Sequence, residues 1–289
     1  MNELDDRWRA DHPLHLPTGD TSKDGRGRLV IAGGAADVPG ALRLTGEAAL
    51  RVGAGKVRLA TVASAGMALG MAFPEAAVTG LAEADGEIAA EAVGALADLA
   101  ARADTVILGP GMGAKGAAAT LVRGLAGVDA PDTTMLLDAA AVACAGPLCA
   151  LLARWAGRLV MTPHLGEMAA LLGCDTDDVT ARREQHARET AARFGAVVVL
   201  KDAETLIAAP DGTLIHYAGG GIGLGTGGSG DVLAGTIGGL LARGLTPLAA
   251  AGWGVWLHGE AGRRLAAAIG PVGFLARELL PVLPTLLPR

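Results

Sequence analysis

Short apolar runs alternate with longer alanine-rich stretches along most of the chain. The apolar runs are bounded by Gly, Pro or Asp and predict buried strands at Leu29–Ala32, Val57–Thr61, Thr105–Leu108, Met135–Leu137, Leu159–Met161 and Val197–Leu200. The stretches between them predict helices near Ala41–Val52, Glu87–Ala101, Ala114–Leu125, Leu148–Trp155, Gly166–Leu172 and Asp177–Phe194. Such alternation predicts an α/β fold with a mostly parallel central sheet and helices on both faces.

One segment departs from this alternation. Thr205–Ala208 and Thr213–Tyr217 flank the turn sequence Pro210-Asp211-Gly212. Two short apolar runs joined by such a turn predict an antiparallel hairpin.

The last part of the chain is predicted to be helical, at Val232–Leu241 and at Pro247–Ala268. Thr246 and Pro247 suit the cap and the first turn of the second helix. No linker, repeat or low-complexity tract interrupts the pattern. We therefore expect one domain over residues 28–289, preceded by a loosely attached arm over residues 1–27.

The composition restricts the possible partners and compartment. The net charge is −6 and no long Lys/Arg run follows the chain, so nucleic acid is not an expected partner. Three cysteines without a Cys-x-x-Cys pair favour a reducing compartment. The longest apolar stretch, Ala139–Ala153, is interrupted by Gly146-Pro147 and is shorter than the roughly 20 residues of a membrane span. Because the start of the chain also lacks a secretory signal, we expect a cytoplasmic protein.

The strongest chemical motif is the loop Gly225-Thr-Gly-Gly-Ser-Gly-Asp231, which leads directly into a predicted helix. A helix start offers unpaired N–H groups and partial positive charge, and glycines allow a phosphate to approach them. Asp231 would lie beside that phosphate, where a carboxylate is unfavourable unless it accepts a proton. Helix capping alone explains an acidic residue in a first turn but does not require four glycines in the loop.

Two other phosphate motifs match only superficially. Gly223, Gly225 and Gly228 have Gly-x-Gly-x-x-Gly spacing but follow a glycine-rich loop, with no acidic strand end about 20 residues later. The segment Gly109–Gly116 contains Lys115 but has the wrong spacing for a Walker loop and no Ser or Thr after the lysine. Neither motif predicts the nucleotide site.

Further polar candidates follow neighbouring predicted strands. Gly109–Gly113 follows the third strand, Asp138 the fourth, His164 the fifth and Lys201 the sixth. The carboxyl ends of strands form the ligand crevice of an open α/β sheet, so these residues predict one site built from four loops. Taken singly, each has an ordinary structural explanation, such as a turn aspartate or a surface lysine.

Histidines elsewhere are weaker candidates, and His258 is interpreted as a packing residue of the last long helix. No pair of histidines has metal-ligand spacing, so a tightly held transition metal is not expected. A Mg²⁺ ion carried in with phosphates needs few protein ligands and is expected.

In combination, several motifs resemble one family. They are Gly109–Gly113, Leu137-Asp138-Ala139, Thr162-Pro163-His164-Leu165-Gly166-Glu167, Lys201-Asp202-Ala203-Glu204-Thr205, Thr226–Gly235 and Leu257-His258-Gly259. Together with residues 34–61, they resemble the ADP-dependent NAD(P)HX dehydratases of the ribokinase-like superfamily, over residues 28 to about 285. The sequence differs from the family pattern at Ala140, Leu165 and Gly221-Ile222.

The resemblance implies roles for individual residues. Adenine-nucleotide binding is implied for Lys201, Asp202, Ala203, Glu204, Thr205 and Gly230, and the loop chemistry adds Gly227 and Gly228. Contact with the hydrated nicotinamide nucleotide is implied for Ala41, Gly113, His164 and Asp231, of which Asp231 is also the expected catalytic base. An Asp with an ordinary pKa is ionised at neutral pH, so no pKa shift is required.

The expected activity is repair of (6S)-NADHX or NADPHX to NADH or NADPH, using ADP or ATP. The resemblance also implies a homotetramer and a separate epimerase for the R form. Two alternatives share the loop and Asp231: a thiazole or hydroxymethylpyrimidine-type kinase, and a nucleotide-binding sensor without turnover.

Overall fold

The computed structural model describes residues 1–16, 22–113 and 115–288. Residues 17–21 of the predicted arm, Ala114 at the predicted start of a helix, and Arg289 lie outside the described residues.

Strands and helices alternate along the described chain. The strands are β1 Asn2–Glu3, β2 Arg28–Ala32, β3 Lys56–Val62, β4 Ala77–Leu81, β5 Glu83–Ala84, β6 Glu87–Ile88, β7 Thr105–Leu108, β8 Thr134–Leu137, β9 Leu159–Met161, β10 Ala196–Leu200, β11 Thr205–Ala208 and β12 Leu214–Tyr217. The helices are α1 Asp6–Asp11, α2 Gly40–Arg51, α3 Ala63–Ala72, α4 Val93–Ala100, α5 Lys115–Ala126, α6 Ala139–Ala143, α7 Cys149–Leu152, α8 Leu165–Leu172, α9 Thr176–Ala181, α10 Arg183–Phe194, α11 Ser229–Ala242, α12 Pro247–Ala268 and α13 Ala276–Val282.

The described strands form one large sheet and one small hairpin. The order in the large sheet is β1-β12-β11-β10-β9-β8-β7-β2-β3-β4, and β5 pairs with β6. Neighbouring strands from β10 to β4 are parallel, whereas β11 is antiparallel to both of its neighbours. The predicted mostly parallel α/β fold with an antiparallel hairpin is thereby confirmed.

The predicted helix Glu87–Ala101 is wrong at its start. Residues Glu83–Ile88 form the β5–β6 hairpin, and the helix α4 begins only at Val93. Asp85 at φ 51° and Gly86 at φ 78° make the tight turn, because Asp and Gly tolerate positive φ better than other residues.

Three further parts of the structure differ from the predicted secondary structure. Helix α3 was missed because it consists of small and apolar residues, so that no polar face reveals the helical period. Strand β4 was not predicted, because it contains Gly80 and Leu81 is its one buried residue. The single helix predicted over 177–194 is divided at Arg182, whose φ of −129° and ψ of 38° are not helical.

The N-terminal segment is packed against the domain, which contradicts the prediction of a loosely attached arm. Strand β1 adds to the sheet edge beside β12, and Leu4, Trp8 and Leu14 are buried. The Trp8 ring lies on α12, where a side chain on Gly252 would overlap it. Burying one such ring stabilises by about 2 kcal/mol, so residues 1–16 are an integral part of the fold.

Close packing of α11 against α2 positions the candidate phosphate loop. Side chains at Gly235 and Gly239 would overlap Thr45 and Ala49 of α2, so both glycines allow the two backbones to touch. Nearly every residue of α11 from Val232 onward is buried. The helix is therefore fixed in the core, and its amino end is held over the carboxyl ends of the strands.

Candidate active site

The order in which the chain adds strands to the sheet changes direction at β2. After β4 it crosses back and places β7 on the other side of β2. Such a switch point opens a crevice at the carboxyl ends of the two strands. Here Gly34 N–H, after β2, donates to the carbonyl of Pro110, after β7, at 2.7 Å. The two loops are thus joined at the expected position of a ligand.

The predicted substrate residues Ala41 and Gly113 belong to this pair of loops. Gly111 has φ 69°, and a Cβ there would lie 2.8 Å from Cβ of Ala41, so the glycine allows α2 to approach the loop after β7. Gly113 lies two residues further along that loop.

The β5–β6 hairpin braces both loops, and sequence analysis missed this role. Gly86 carbonyl accepts from the N–H of Ala36 at 2.8 Å, and Glu87 Oε1 accepts from the N–H of Gly113 at 3.0 Å. The Asp85-Gly86 pair was the available signal for the hairpin, because Asp-Gly between short strands favours a type I′ turn.

The predicted phosphate loop leads into α11 with its backbone open. Gly228 precedes the helix with φ 89°, and no described side chain caps the helix start. A Cβ at Gly227 would meet no described atom within 4 Å, and one at Gly230 would lie 3.7 Å from Lys201 Nζ. Uncapped N–H groups, the helix dipole and a nearby ammonium together favour an anion here.

Charged side chains from three strand ends meet beside this helix start. Lys201 Nζ lies 3.0 Å from Asp138 Oδ1 and 3.8 Å from Glu167 Oε2. Asp138 Oδ1 also accepts from the Thr162 hydroxyl at 2.6 Å. The structure therefore joins the predicted Asp138 and Lys201 in one cluster and adds Glu167, the last residue of the Thr162–Glu167 motif, for which no role was predicted.

Burial and charge shift the pKa values of two members of the site. Burial opposes the charge of Lys201, but Asp138 and Glu167 outweigh it, so the lysine pKa is raised above its ordinary value. The pKa of Asp231 is raised to about 7, chiefly by burial and further by Asp138, while Lys201 acts in the opposite direction. Asp231 does not need this shift to act as a base, but its burial at the helix start produces one.

His164 is positioned by its own helix. Its Nδ1 accepts from the backbone N–H of Gly166 at 3.0 Å, and Glu167 Oε2 accepts from the N–H of His164 at 2.9 Å. This capping box fixes the ring at the start of α8. The His164 side chain remains 59% exposed, so it is available to a ligand, and its backbone forms a bridge with Lys201.

A cleft of about 740 Å³ extends from this cluster between the hairpin and α12. It is lined by five of the residues predicted to bind nucleotide, namely Lys201, Asp202, Ala203, Thr205 and Gly230, and also by His164. Glu204 does not line it. Glu204 Oε2 instead lies 3.0 Å from His216 Nε2, so its carboxylate is engaged outside the cleft.

The described residues contain no cluster of three or more His, Cys, Asp or Glu arranged to hold a metal ion. Within the same residues, no helix is both long enough and apolar enough to cross a membrane.

The fold and this site define a ribokinase-like α/β enzyme. A solved structure of a ribokinase-like superfamily protein from Enterococcus faecalis has a TM-score of 0.78 and 28% identity, and the match covers 94% of this chain and 90% of that one. The ADP/ATP-dependent NAD(P)H-hydrate dehydratase of Bacillus subtilis, co-crystallized with ATP and Mg²⁺, has a TM-score of 0.80 and 26% identity, covering 98% and 96% of the two chains.

Sequence comparison narrows the class. The family model for NAD(P)H-hydrate dehydratase matches residues 29–285, and the chain belongs to this family. The ADP-dependent (S)-NAD(P)H-hydrate dehydratase of Xanthomonas campestris is 47% identical over 96% of this chain and 93% of its own length. The bifunctional NAD(P)H-hydrate repair enzyme of Escherichia coli is 38% identical over 96% of this chain, which spans 51% of that protein.

Proposed function

We propose that this protein dehydrates (6S)-NADHX and NADPHX to NADH and NADPH, with ADP as the phosphoryl donor. The observation that carries the proposal is the position of Asp231. Its carboxyl lies in the first turn of α11, next to an open glycine loop, and its raised pKa of about 7 suits a proton acceptor near neutral pH. The names of the relatives from X. campestris and B. subtilis support the reaction and the nucleotide.

In the first step, the terminal phosphoryl group of ADP is transferred to the substrate. Asp231 accepts the proton of the hydroxyl on C6 of the hydrated ring, and the hydroxyl oxygen attacks the phosphorus atom. The bond to the bridging oxygen breaks and AMP leaves. The N–H groups of Gly227, Gly228 and Gly230 and the Lys201 ammonium stabilise the charge on the transferred group.

In the second step, the phosphate ester is eliminated. The lone pair of the ring nitrogen expels phosphate from C6, and loss of a proton from C5 forms the new double bond. Phosphorylation converts hydroxide, a poor leaving group, into phosphate. In this proposal His164 and the loop of Gly113 hold the nicotinamide against the same crevice, so that the transfer becomes effectively unimolecular.

Bound Mg²⁺ would supply charge neutralisation for the phosphates. The carboxylates of Asp138 and Glu167 are suitable oxygen donors, but Lys201 lies 3.0 Å from Asp138 Oδ1 and 3.8 Å from Glu167 Oε2. Because Lys201 already pairs with these carboxylates, the phosphates would be the main ligands of such an ion, and Asp138 and Glu167 would help to hold it.

The products separate this function from its two alternatives. We expect AMP, free phosphate and NADH in equal amounts when the protein is incubated with ADP and (6S)-NADHX, because each transfer is followed by elimination. The measurements are NADH absorbance, a phosphate assay and chromatography of nucleotides. A stable phosphorylated substrate without NADH would indicate a kinase, and ADP binding without any product would indicate a sensor; either result contradicts the proposal.

A second prediction tests the glycine loop. We expect Gly230→Val to weaken ADP binding by about tenfold or more, because the new side chain would enter the space between the backbone and Lys201 Nζ. Calorimetry with ADP measures the loss. Gly116→Val is the matched control, since a Cβ at this helical glycine meets no described atom within 4 Å. Equal ADP affinity in the Gly230 variant and the wild type would mean that the loop does not hold phosphate.

The cellular setting is part of the same proposal. We propose a cytoplasmic homotetramer that acts on the S epimer, with a separate epimerase acting on the R form. Met67 and Met71, each 81% exposed on α3 beside the edge strand β4, support a contact between copies. The bifunctional name of the E. coli relative supports a link between dehydration and a second repair activity.

A further inference from the structure

A buried serine–histidine pair lies directly behind the phosphate loop. Ser229 is the first residue of α11, and its Oγ lies 3.0 Å from Nε2 of His258 on α12. Only 4% of Ser229 and 8% of His258 is exposed, and both residues line the wall of the cleft. The pair therefore connects the long helix α12 with the helix start that faces the phosphates.

The Ser229–His258 hydrogen bond stabilises a helix start that has no side-chain cap among the described residues. A side chain at the cap position of a helix can bond the N–H groups of the first turn, but the cap position of α11 is Gly228, and no described side chain takes that role. An anion site needs those N–H groups unoccupied. The Ser229 N–H donates to the carbonyl of Thr226 at 3.2 Å, whereas the bond between the Ser229 hydroxyl and His258 holds the turn without occupying a further N–H group.

Helix α12 is a rigid partner for this bond. It runs from Pro247 to Ala268, begins with a Thr246 side-chain cap and packs against Trp8. Burial, with a smaller contribution from Lys201, lowers the pKa of His258 to about 4. The imidazole is thus neutral at physiological pH, and its hydrogen bond with Ser229 persists there.

We propose that His258 is a positioning residue that fixes the first turn of α11 through Ser229 and so holds the Gly227–Asp231 backbone for the terminal phosphate of the nucleotide. The inference rests on the proposed function only in its choice of nucleotide.

A double-mutant cycle on nucleotide affinity tests the proposal. The readout is the ratio of the AMP and ADP dissociation constants from calorimetry, which isolates the contact with the terminal phosphate. We expect His258→Ala and Ser229→Ala each to lower this ratio by about tenfold, and the double variant to lower it no further. His258→Gln places an amide near the position of Nε2 and should restore most of the ratio.

The control is Thr236→Ala, in the same helix. Thr236 is fully buried and its hydroxyl donates to the carbonyl of Val232, so its removal should lower Tm and leave the ratio unchanged. Ser229→Ala keeps the test valid even if His258→Ala does not fold, because it removes the same bond by a small change.

The outcomes are distinct from those of the dehydratase assay. Three results would overturn the inference. They are an unchanged ratio in the Ser229 and His258 variants, losses that multiply in the double variant, and equal ADP and AMP affinities in the wild type. If the wild type prefers ADP to AMP and the variants give the expected double-mutant cycle, the inference is supported. If the same wild-type protein forms no NADH, the proposed function is contradicted.

Discussion

Replacing Asp231 by Asn is expected to lower kcat by about 10²–10⁴-fold, the usual contribution of a general base, or about 3–5 kcal/mol in the activation free energy. Asparagine has nearly the same shape but accepts no proton from the substrate hydroxyl. ADP affinity should stay the same or increase, because a carboxylate beside the phosphates disappears. Steady-state kinetics with (6S)-NADHX and calorimetry with ADP measure the two effects separately.

The pH dependence makes this test more specific. Because the pKa of Asp231 is about 7, kcat/KM of the wild type should fall about tenfold per pH unit below pH 7, as the base becomes protonated. The Asn variant should lack this limb of the profile. Asp104→Asn is the matched control, since Asp104 precedes β7 at the opposite end of the sheet and pairs with Arg28. A variant at 231 with near-normal turnover would exclude the assigned role.

The same carboxyl should reduce the stability of the folded protein. Its pKa is raised from 3.8 to about 7 on folding, so the folded state binds the proton more tightly than the unfolded state. The stability associated with the protonated form is present below pH 4 and is lost as the pH rises to about 7. Asp231→Asn should therefore be more stable than the wild type at pH 8, and this advantage should disappear at low pH.

The central strands of the sheet were predictable because they are buried on both faces, whereas the edge strands β1 and β4 are not and were missed. Continuous apolar runs such as Thr105–Leu108 and Leu159–Met161 match β7 and β9 residue for residue, and Gly and Asp mark their ends. The start of α11 was predictable for a related reason, since the glycine-rich loop stops abruptly at a helical apolar pattern. Local sequence was sufficient to predict an element where the residues at its two ends mark its boundaries.

The features that were missed depend on contacts between distant segments. Glu87 matters because a hairpin brings its carboxylate to Gly113, and no local pattern encodes that meeting. The N-terminal segment looks polar because its buried residues, Leu4, Trp8 and Leu14, are widely spaced. The pKa of Asp231 depends on enclosure by several elements, and the sequence position alone gives only its ordinary value.

Neighbouring charges should move the pKa of Asp231 in opposite directions. Lys201 lowers this pKa and Asp138 raises it. We therefore expect Lys201→Met to shift the limb of the kcat/KM profile to higher pH, and Asp138→Asn to shift it to lower pH, each by about one unit or more. Asparagine at 138 can still accept the Thr162 hydroxyl bond, so the second change removes charge with little loss of packing.

The lysine variant should also bind ADP about tenfold or more weakly, since hydrogen bonds to charged groups are among the stronger ones. Lys56→Met is the control, because Lys56 pairs with Asp24 at the amino end of β3, on an exposed surface away from the cleft. The measurement is kcat/KM with (6S)-NADHX from pH 5 to 9 for all four proteins. Opposite shifts in the two site variants, with no shift in the control, would assign the limb to a base that feels the charges of both Lys201 and Asp138, as Asp231 does. Shifts in the same direction would mean that the limb belongs to another group. Removing a cation and removing an anion must move the pKa of Asp231 in opposite directions.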